Sequence, residues 1–182
     1  MHRRNILIYI GLLNLLAACG SAPPVVTERT SRAPRDHPGR DDEAVDPLDA
    51  ILAADPDPRR NDVITVALSQ VGTPYFWGGR SPVIGFDCSG LVTYVFQQAV
   101  HLTLPRLSYD QARLGQPIAG ETLRPADLVF FNTLRREFSH VGIYIGRDRF
   151  VHAPVTGAFV RIERLNGDYW RSRYDGGRRV LA

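Results

Sequence analysis

The chain has 182 residues, of which 44% are hydrophobic and 23% are charged. This composition is typical of a globular protein, and the length suits one domain but is too short for two. All 22 basic side chains are Arg, and the formal net charge is +3. Residues 61–182 carry fourteen Arg and ten acidic side chains, but opposite charges are interspersed and no basic run is typical of a nucleic-acid interface. The charge pattern therefore argues against nucleic-acid binding.

The N-terminus has the organisation of a secretory signal peptide over residues 1–18. Two Arg near the start precede an apolar run at residues 6–16, which is too short to span a membrane, and small residues lead to Cys19. The stretch LAAC that ends at Cys19 resembles the lipobox of bacterial lipoproteins, in which the cysteine is lipidated and becomes the first mature residue. This resemblance implies palmitate-type acylation, and Gly20 implies sorting to the outer membrane, facing the periplasm. The alternative is a cleaved secretory signal with an incidental cysteine.

The next segment, residues 19–60, is rich in Pro, Arg and Asp and has no sustained apolar periodicity. We therefore predict a lipidated N-terminus followed by a disordered tether, and a folded domain over residues 61–182. Lipidation of Cys19 would leave Cys88, the other of the two cysteines, without a disulfide partner. A lone thiol in an oxidising compartment is a liability unless it is buried or used.

Helices precede strands in the predicted domain. Helical spacing and terminal residues predict helices at residues 62–72 and 88–100, and a short helix from Ser108. Short apolar runs then predict strands at 127–132, 140–146, 149–154, 158–163 and 178–182, the last preceded by a turn at 170–174. This order predicts an α+β domain with an antiparallel sheet.

Cys88 opens the second predicted helix and permits two interpretations. It aligns with Leu91 and Val92 on the apolar stripe of the helix, and free cysteine is among the most buried residue types. Alternatively, Asp87 is a good N-cap residue, and a thiolate in the first helical turn is stabilised by unpaired N–H groups and the helix dipole. The second interpretation predicts alkylation well below the ordinary cysteine pKa of about 8.5.

A thiol nucleophile needs a base, commonly a histidine held by a third polar group. His101 lies at the far end of the predicted helix, about 20 Å from Cys88, where it is explained as a cation near a helix C-terminus. His140 and His152 lie on consecutive predicted strands, and His140 is on the face opposite the aliphatic residues of its strand. The two share a face if the hairpin has an odd loop, and a two-residue turn without a bulge would separate them.

Six separated motifs occur in order between residue 61 and the C-terminus. They are YFWGG (75–79), FDCSGLV (86–92), LPR (104–106), DLVFF (127–131), SHVGIY (139–144) and VHA (151–153). Together they resemble the successive motifs of NlpC-type cell-wall cysteine peptidases. The resemblance implies a papain-like α+β fold in which the cysteine helix packs on the sheet that carries both histidines.

The resemblance also implies the catalytic residues. Cys88 matches the nucleophile, His140 the general base and later acid, and His152 the residue that orients His140. This arrangement implies peptide hydrolysis through a cysteine thioester. No cofactor and no metal ion is expected.

Three further positions are implied to meet the substrate. Tyr75 is expected to bring its hydroxyl near the oxyanion, whereas Asp87 and Ser89 are expected to contact polar groups of the peptide. Arg80 and Arg106 are candidate partners of substrate carboxylates, with solvated surface charge as the alternative interpretation.

The resulting hypothesis is a lipid-anchored peptidoglycan endopeptidase that cuts stem peptides at a bond involving diaminopimelate. The bond from D-glutamate to diaminopimelate and the crosslink from D-alanine to diaminopimelate both fit the sequence. The alternatives are a non-catalytic wall-binding lipoprotein and a thiol amidase that cuts a different murein amide bond. The expected partners are peptidoglycan stem peptides and a membrane bound through Cys19, and we expect a monomer.

Overall fold

A computed structural model of the chain describes residues 55–181. The predicted signal peptide at residues 1–18, the predicted lipidation site Cys19 and the tether as far as residue 54 lie outside the described residues. Within residues 55–181, no helix is both long enough and apolar enough to cross a membrane.

The two long helices come first along the described residues, and the six strands of the main sheet follow them. The helices are α1 (Pro58–Leu68), α2 (Cys88–Val100), α3 (Ser108–Gln111) and α4 (Asp168–Arg171), with a 3-10 turn at Gly120–Thr122. The strands are β1 (Arg80–Ser81), β2 (Gly85–Phe86), β3 (Gln116–Ile118), β4 (Leu128–Phe131), β5 (His140–Gly146), β6 (Arg149–His152), β7 (Arg161–Arg164) and β8 (Tyr174–Arg179).

The main sheet is antiparallel, with six strands in the order β3-β8-β4-β5-β6-β7, and β1 and β2 form a separate small hairpin. Buried residues of α1 and α2 pack against one face of the main sheet, in a core that includes Val141 and Ile143 of β5. On the other face, Phe131 and Phe150 pack around Trp170 of α4. Helices packed on an antiparallel sheet confirm the predicted α+β fold class.

Helix α2 begins at the predicted residue because Asp87 caps it. The Oδ1 atom of Asp87 accepts a hydrogen bond from the N–H of Gly90 at 2.7 Å, which satisfies one of the donors that lack an intrahelical partner. The helix ends at His101, whose φ of 56° is left-handed. Four apolar side chains of the predicted stripe are buried and stabilise the helix on the sheet by about 1.5–3 kcal/mol each. They are Leu91, Val92, Val95 and Phe96.

The start of the domain differs from the prediction. Helix α1 begins at Pro58 behind the N-cap Asp57, and Asp55 is already buried, so the fold starts before the predicted boundary at residue 61. Two ion pairs explain the difference, because Asp55 contacts Arg124 at 2.8 Å and Arg60 at 3.9 Å. The pair with Arg124 joins residues 69 positions apart, so local composition does not reveal it.

The C-terminal elements also differ from the prediction. The last strand is β8 at Tyr174–Arg179 rather than residues 178–182, and the stretch predicted as a turn begins within α4. Helix α4 is only four residues long, which is too short for an apolar period to be visible. Strand β8 reads YDGGRR and lacks alternation, but it pairs with β3 on one side and β4 on the other. Backbone pairing therefore defines a strand that side-chain pattern does not.

The turn between β5 and β6 combines a short loop with a bulge. Arg147 and Asp148 form its two central residues, at φ of 48° and 62°. Positive φ at both positions is typical of a type I′ hairpin turn. The pairing register then shifts by one residue between Tyr144 and Gly146. The extra residue is the bulge without which a two-residue turn would separate the histidines.

This bulge places both histidines on one face of the sheet. Ile143 pairs with Val151, and continuing that register places His152 opposite Gly142 and diagonal to His140. Both imidazoles contact the aromatic cluster on the face away from α2. The predicted pairing of the two histidines is therefore what the structure contains.

Gly142 is required where the two histidine strands meet. A Cβ atom there would lie 2.5 Å from Cδ2 of Phe150, 3.0 Å from the carbonyl oxygen of Val151 and 3.3 Å from Cβ of His152. We therefore expect Gly142→Ala to lower the free energy of unfolding by about 1–3 kcal/mol, measured by urea titration. Gly120→Ala is the control, because the nearest atom to its Cβ would be 3.7 Å away. Equal stability of both variants would contradict this prediction.

Candidate active site

An open cleft of about 830 Å³ lies beside the N-terminus of α2. Cys88 and His140 line it, and so do the three residues predicted to meet the substrate: Tyr75, Asp87 and Ser89. His152 is fully buried and lies behind His140. The structure thus brings the three predicted catalytic residues and these three predicted substrate contacts to one place.

Cys88 is only partly exposed, and its surroundings oppose the predicted thiolate. Burial raises the pKa of the Cys88 thiol to about 11, and the negative charge of Asp87 acts in the same direction. Backbone N–H groups of Val141 and Ser89 near the sulfur lower the pKa without reversing the shift. The prediction of a thiolate stabilised by the helix N-terminus is therefore wrong, because burial outweighs the backbone N–H groups near the sulfur.

The two histidines form a buried hydrogen-bonded pair. Nε2 of His140 and Nδ1 of His152 are 2.8 Å apart, and the rings are nearly perpendicular, at 88°. Burial, followed by the charge of His152, holds the pKa of His140 well below its ordinary value. Because Nε2 is engaged, Nδ1 is the ring nitrogen available on the cleft side. His140 is therefore a neutral imidazole that can accept a proton from a nucleophile.

The pH dependence of Cys88 alkylation follows from these two shifts. A raised thiol pKa means that the thiolate fraction at pH 7 is smaller than in an unfolded cysteine peptide and increases as pH rises. We expect the rate with iodoacetamide to increase continuously from pH 7 to pH 10, without a plateau below pH 8.5. A fast plateau between pH 5 and pH 8 would instead indicate a thiolate–imidazolium pair. An unfolded peptide that contains Cys88 serves as the reference.

Tyr75 presents a neutral hydroxyl to the cleft. Burial raises its pKa to about 12, and the negative charges of Cys88 and Asp87 add to the shift. The hydroxyl has no hydrogen-bond partner among residues 55–181, so it can donate to a ligand. The backbone N–H of Cys88, in the first turn of α2, is a second donor of the kind that stabilises an oxyanion.

Asp87, Ser89 and Arg106 form a network at the floor of the cleft. Arg106 donates from Nη1 to Oδ1 of Asp87 at 3.0 Å and to Oγ of Ser89 at 2.9 Å, and from Nη2 to Oδ2 of Asp87 at 2.5 Å. Oδ2 of Asp87 also accepts from the N–H of Gly78 at 3.0 Å, which ties the Tyr75 loop to α2. The contact of Asp87 and Ser89 with a peptide stays a prediction, since the structure engages both side chains internally.

The cations near the cleft differ from those proposed from sequence. Arg106 is paired with Asp87, and Arg80 is exposed and is not among the residues that line the cleft. Arg136, in the β4–β5 loop, does line the cleft and forms no ion pair with any described residue. No sequence motif surrounds Arg136, so only the path of this loop in the structure shows that Arg136 lies at the cleft.

Two further residues behind the histidines were absent from the sequence prediction. The ring of Trp170 stacks on His140, with centroids 5.4 Å apart and planes at 28°. Its indole N–H donates a hydrogen bond to Oε2 of Glu163. Glu163 is on β7 and Trp170 on α4, 11 and 18 residues after His152, and no spacing rule connects them to the catalytic motifs.

Comparisons with known proteins identify relatives of this domain. The NlpC/P60 family model matches residues 72–179. The chain is 44% identical over 118 residues to Murein DD-endopeptidase MepH of Escherichia coli (strain K12), a match that covers 63% of this chain and 44% of that protein. It is also 44% identical over 129 residues to Gamma-DL-glutamyl hydrolase of Bacillus subtilis (strain 168), covering 70% of this chain and 31% of that protein.

A solved structure is similar as well. The crystal structure of an NlpC/P60 family protein from Bacillus cereus ATCC 10987 has a TM-score of 0.64 and 34% sequence identity, and the match covers 68% of this chain and 40% of that chain. The matched segment is therefore less than half the length of each of these three proteins.

Proposed function

This chain belongs to the NlpC/P60 family, a family of cysteine peptidases, and we propose that it is a peptidoglycan endopeptidase with Cys88 as its nucleophile. The observation that carries the proposal is the placement of a partly exposed thiol and a neutral, buried imidazole, His140, on one open cleft. The relative named as a murein endopeptidase supports the substrate class.

Acylation begins with a neutral pair. The Cys88 thiol gives its proton to Nδ1 of His140 as the sulfur attacks the carbonyl carbon of the scissile amide. The carbonyl oxygen becomes an oxyanion that accepts hydrogen bonds from the Cys88 N–H and the Tyr75 hydroxyl, an interaction worth about 3 kcal/mol. The imidazolium of His140 then protonates the leaving amine, the C–N bond breaks, and a thioester to Cys88 remains.

Deacylation uses the same groups in the same order. His140 is neutral again after the amine leaves, and it takes a proton from a water molecule that attacks the thioester carbonyl. A second oxyanion forms at the same two donors, and its collapse breaks the C–S bond. The imidazolium returns its proton to the sulfur and restores the thiol of Cys88, and the product leaves as a carboxylic acid that gives its proton to the solvent.

The proposed substrate is a stem peptide of peptidoglycan. The cleft is open, so it can admit a peptide that is still joined to the wall, and Arg136 offers a cation to one of the peptide carboxylates. One relative is named a murein DD-endopeptidase and the other a gamma-DL-glutamyl hydrolase. For this chain, the first name fits the crosslink from D-alanine, and the second fits the amide after D-glutamate. Both bonds involve diaminopimelate where that residue occupies the third position of the stem.

Digestion of purified, diaminopimelate-containing murein tests this function. The full chain is incubated with murein, and the fragments are identified by mass spectrometry together with their new amino termini. A new α-amine on diaminopimelate indicates cleavage after D-glutamate, and separated crosslinked dimers indicate cleavage at D-alanine. Binding to murein without new termini, equal in the protein and in Cys88→Ser, would support the non-catalytic alternative.

The proposed cellular location is the outer membrane, through a lipid on Cys19. The motif LAAC and the following Gly20 motivate this proposal. We expect Cys19→Ala to abolish labelling with radioactive palmitate and to release a soluble periplasmic protein that still hydrolyses murein. Gly20→Ala is the control, because it keeps the cysteine and should keep the label. Membrane fractionation of Cys19→Ala without detergent would contradict the proposal.

A further inference from the structure

A carboxylate lies directly behind the histidine pair. Strand β7 pairs with β6 so that Arg161 is opposite His152 and Glu163 is opposite Phe150. Oε2 of Glu163 is 3.7 Å from Nε2 of His152. This separation is too long for a hydrogen bond but short enough for a strong electrostatic effect at a buried site.

Nε2 of His152 is a buried polar atom that needs an explanation. The His152 side chain is fully buried, and this nitrogen has no hydrogen-bond partner among the described residues. The nearest charged acceptor is the Glu163 carboxylate, which is itself held in place. Nε of Arg161 donates to Oε1 of Glu163 at 2.5 Å, and the indole N–H of Trp170 donates to Oε2.

Glu163 remains ionised at neutral pH. Burial by itself would raise the pKa of Glu163, but the neighbouring His152, Arg161 and Trp170 outweigh burial and hold the pKa below its ordinary value. A fixed negative charge therefore faces one edge of the His152 ring.

The charge of Glu163 selects the tautomer of each histidine. A neutral imidazole carries one N–H, and a proton on Nε2 of His152 is attracted by the carboxylate, whereas a lone pair there is repelled. With Nε2 protonated, Nδ1 of His152 must accept the 2.8 Å hydrogen bond, so Nε2 of His140 donates it. Nδ1 of His140 is then unprotonated. This is the state that can take a proton from Cys88.

We propose that Glu163 is a positioning residue that sets the direction of the His152–His140 hydrogen bond and so keeps the lone pair of His140 on the cleft side. It touches neither the substrate nor Cys88 and acts through His152. Trp170 holds the carboxylate with its N–H and stacks on His140, where its ring also favours the imidazolium formed during acylation. The inference rests on the proposed function, because it assumes that His140 is the proton acceptor.

Nitrogen NMR of the histidines tests the inference without an activity assay. The full chain, labelled with ¹⁵N-histidine, is measured at pH 8, and the two rings are assigned with His140→Ala and His152→Ala. We expect both His140 and His152 in the Nε2–H tautomer. Observation of His152 in the Nδ1–H form in the unsubstituted protein would overturn the inference, whether or not the protein hydrolyses murein.

Substitution of Glu163 provides the kinetic test. Glu163→Gln keeps the shape but removes the charge, and its amide can donate to Nε2 of His152, which would invert both tautomers. We expect kcat to fall about 10–100-fold, with KM within about twofold, and the Nδ1–H form of His140 to appear. Glu163→Asp keeps the charge and should retain more kcat than Glu163→Gln. Glu121→Gln replaces an exposed glutamate in the 3-10 turn and is the control, and its kcat and its histidine tautomers should equal those of the unsubstituted protein.

The outcomes separate this inference from the proposed function. Hydrolysis by the unsubstituted protein together with full kcat in Glu163→Gln would reject the role of Glu163 alone. Absence of hydrolysis by the unsubstituted protein would reject the proposed function, and the NMR tautomers would still decide whether Glu163 directs the histidine pair. A loss of kcat accompanied by unfolding, with unchanged tautomers, would also overturn the inference.

Discussion

Replacement of His140 with Ala is expected to lower kcat/KM for murein hydrolysis by about 10⁴-fold or more. The thiol of Cys88 has its pKa raised by burial, so very little thiolate exists at neutral pH without a proton acceptor. His140 is the neutral imidazole on the cleft that can accept this proton. Residues that act as one catalytic unit lose most of the rate when any one of them is removed, which explains the size of the effect.

A histidine outside the cleft provides the matched control. His101 is exposed and ends α2 with a left-handed conformation, so His101→Asn preserves the backbone requirement and removes an imidazole. This variant should hydrolyse murein at the normal rate. His140→Ala removes a buried, hydrogen-bonded ring and should unfold at a lower urea concentration, so both variants are assayed under conditions where urea titration shows them to be folded. Retention of more than about one tenth of the activity in His140→Ala would contradict the assignment of His140 as the base.

The largest loss of stability is expected for Asp127→Ala. Asp127 is fully buried, and its carboxylate accepts from Arg60 at 3.2 Å and from Arg179 at 2.6 Å and 3.0 Å. Its Oδ2 also accepts from the N–H of Arg124 at 2.8 Å. Removal of this carboxylate takes the nearest anion from Arg60, which is itself 1% exposed, and should cost about 3–5 kcal/mol. Urea unfolding measures the loss.

An exposed aspartate tests whether burial is the cause. Asp110 lies 3.9 Å from Arg113, with side chains that are 44% and 64% exposed, so water screens the pair. Asp110→Ala should cost at most about 1 kcal/mol. Similar losses of unfolding free energy for the two variants would mean that burial is not the cause of the large effect expected at Asp127.

The cluster around Asp127 also joins both ends of the domain, because Arg60 donates a hydrogen bond to the carbonyl oxygen of Leu181.

The local sequence determined the parts of this protein that depend on near neighbours. Asp87 caps the helix that begins at Cys88, and the apolar stripe of that helix is buried as predicted. Alternation along β5 correctly predicted that His140 lies on the face opposite Val141, Ile143 and Ile145, which pack against α1 and α2. In each case the controlling interaction joins residues only a few positions apart, so the pattern was visible in the chain.

Tertiary structure decided what depends on contacts between distant residues. The bulge between β5 and β6, rather than either histidine motif, places His140 and His152 2.8 Å apart. The pKa of Cys88 is raised, whereas the sequence predicted that it is lowered. A helix N-terminus is a local feature that the sequence shows, but burial is produced by the packed sheet. Trp170 reaches the histidines because α4 packs on the face of the sheet that carries them, and Glu163 does so because β7 is the strand next to β6. The sequence thus determined which residue types were available for chemistry, and packing determined their charge and direction, since burial and long-range pairing exist only in the folded chain.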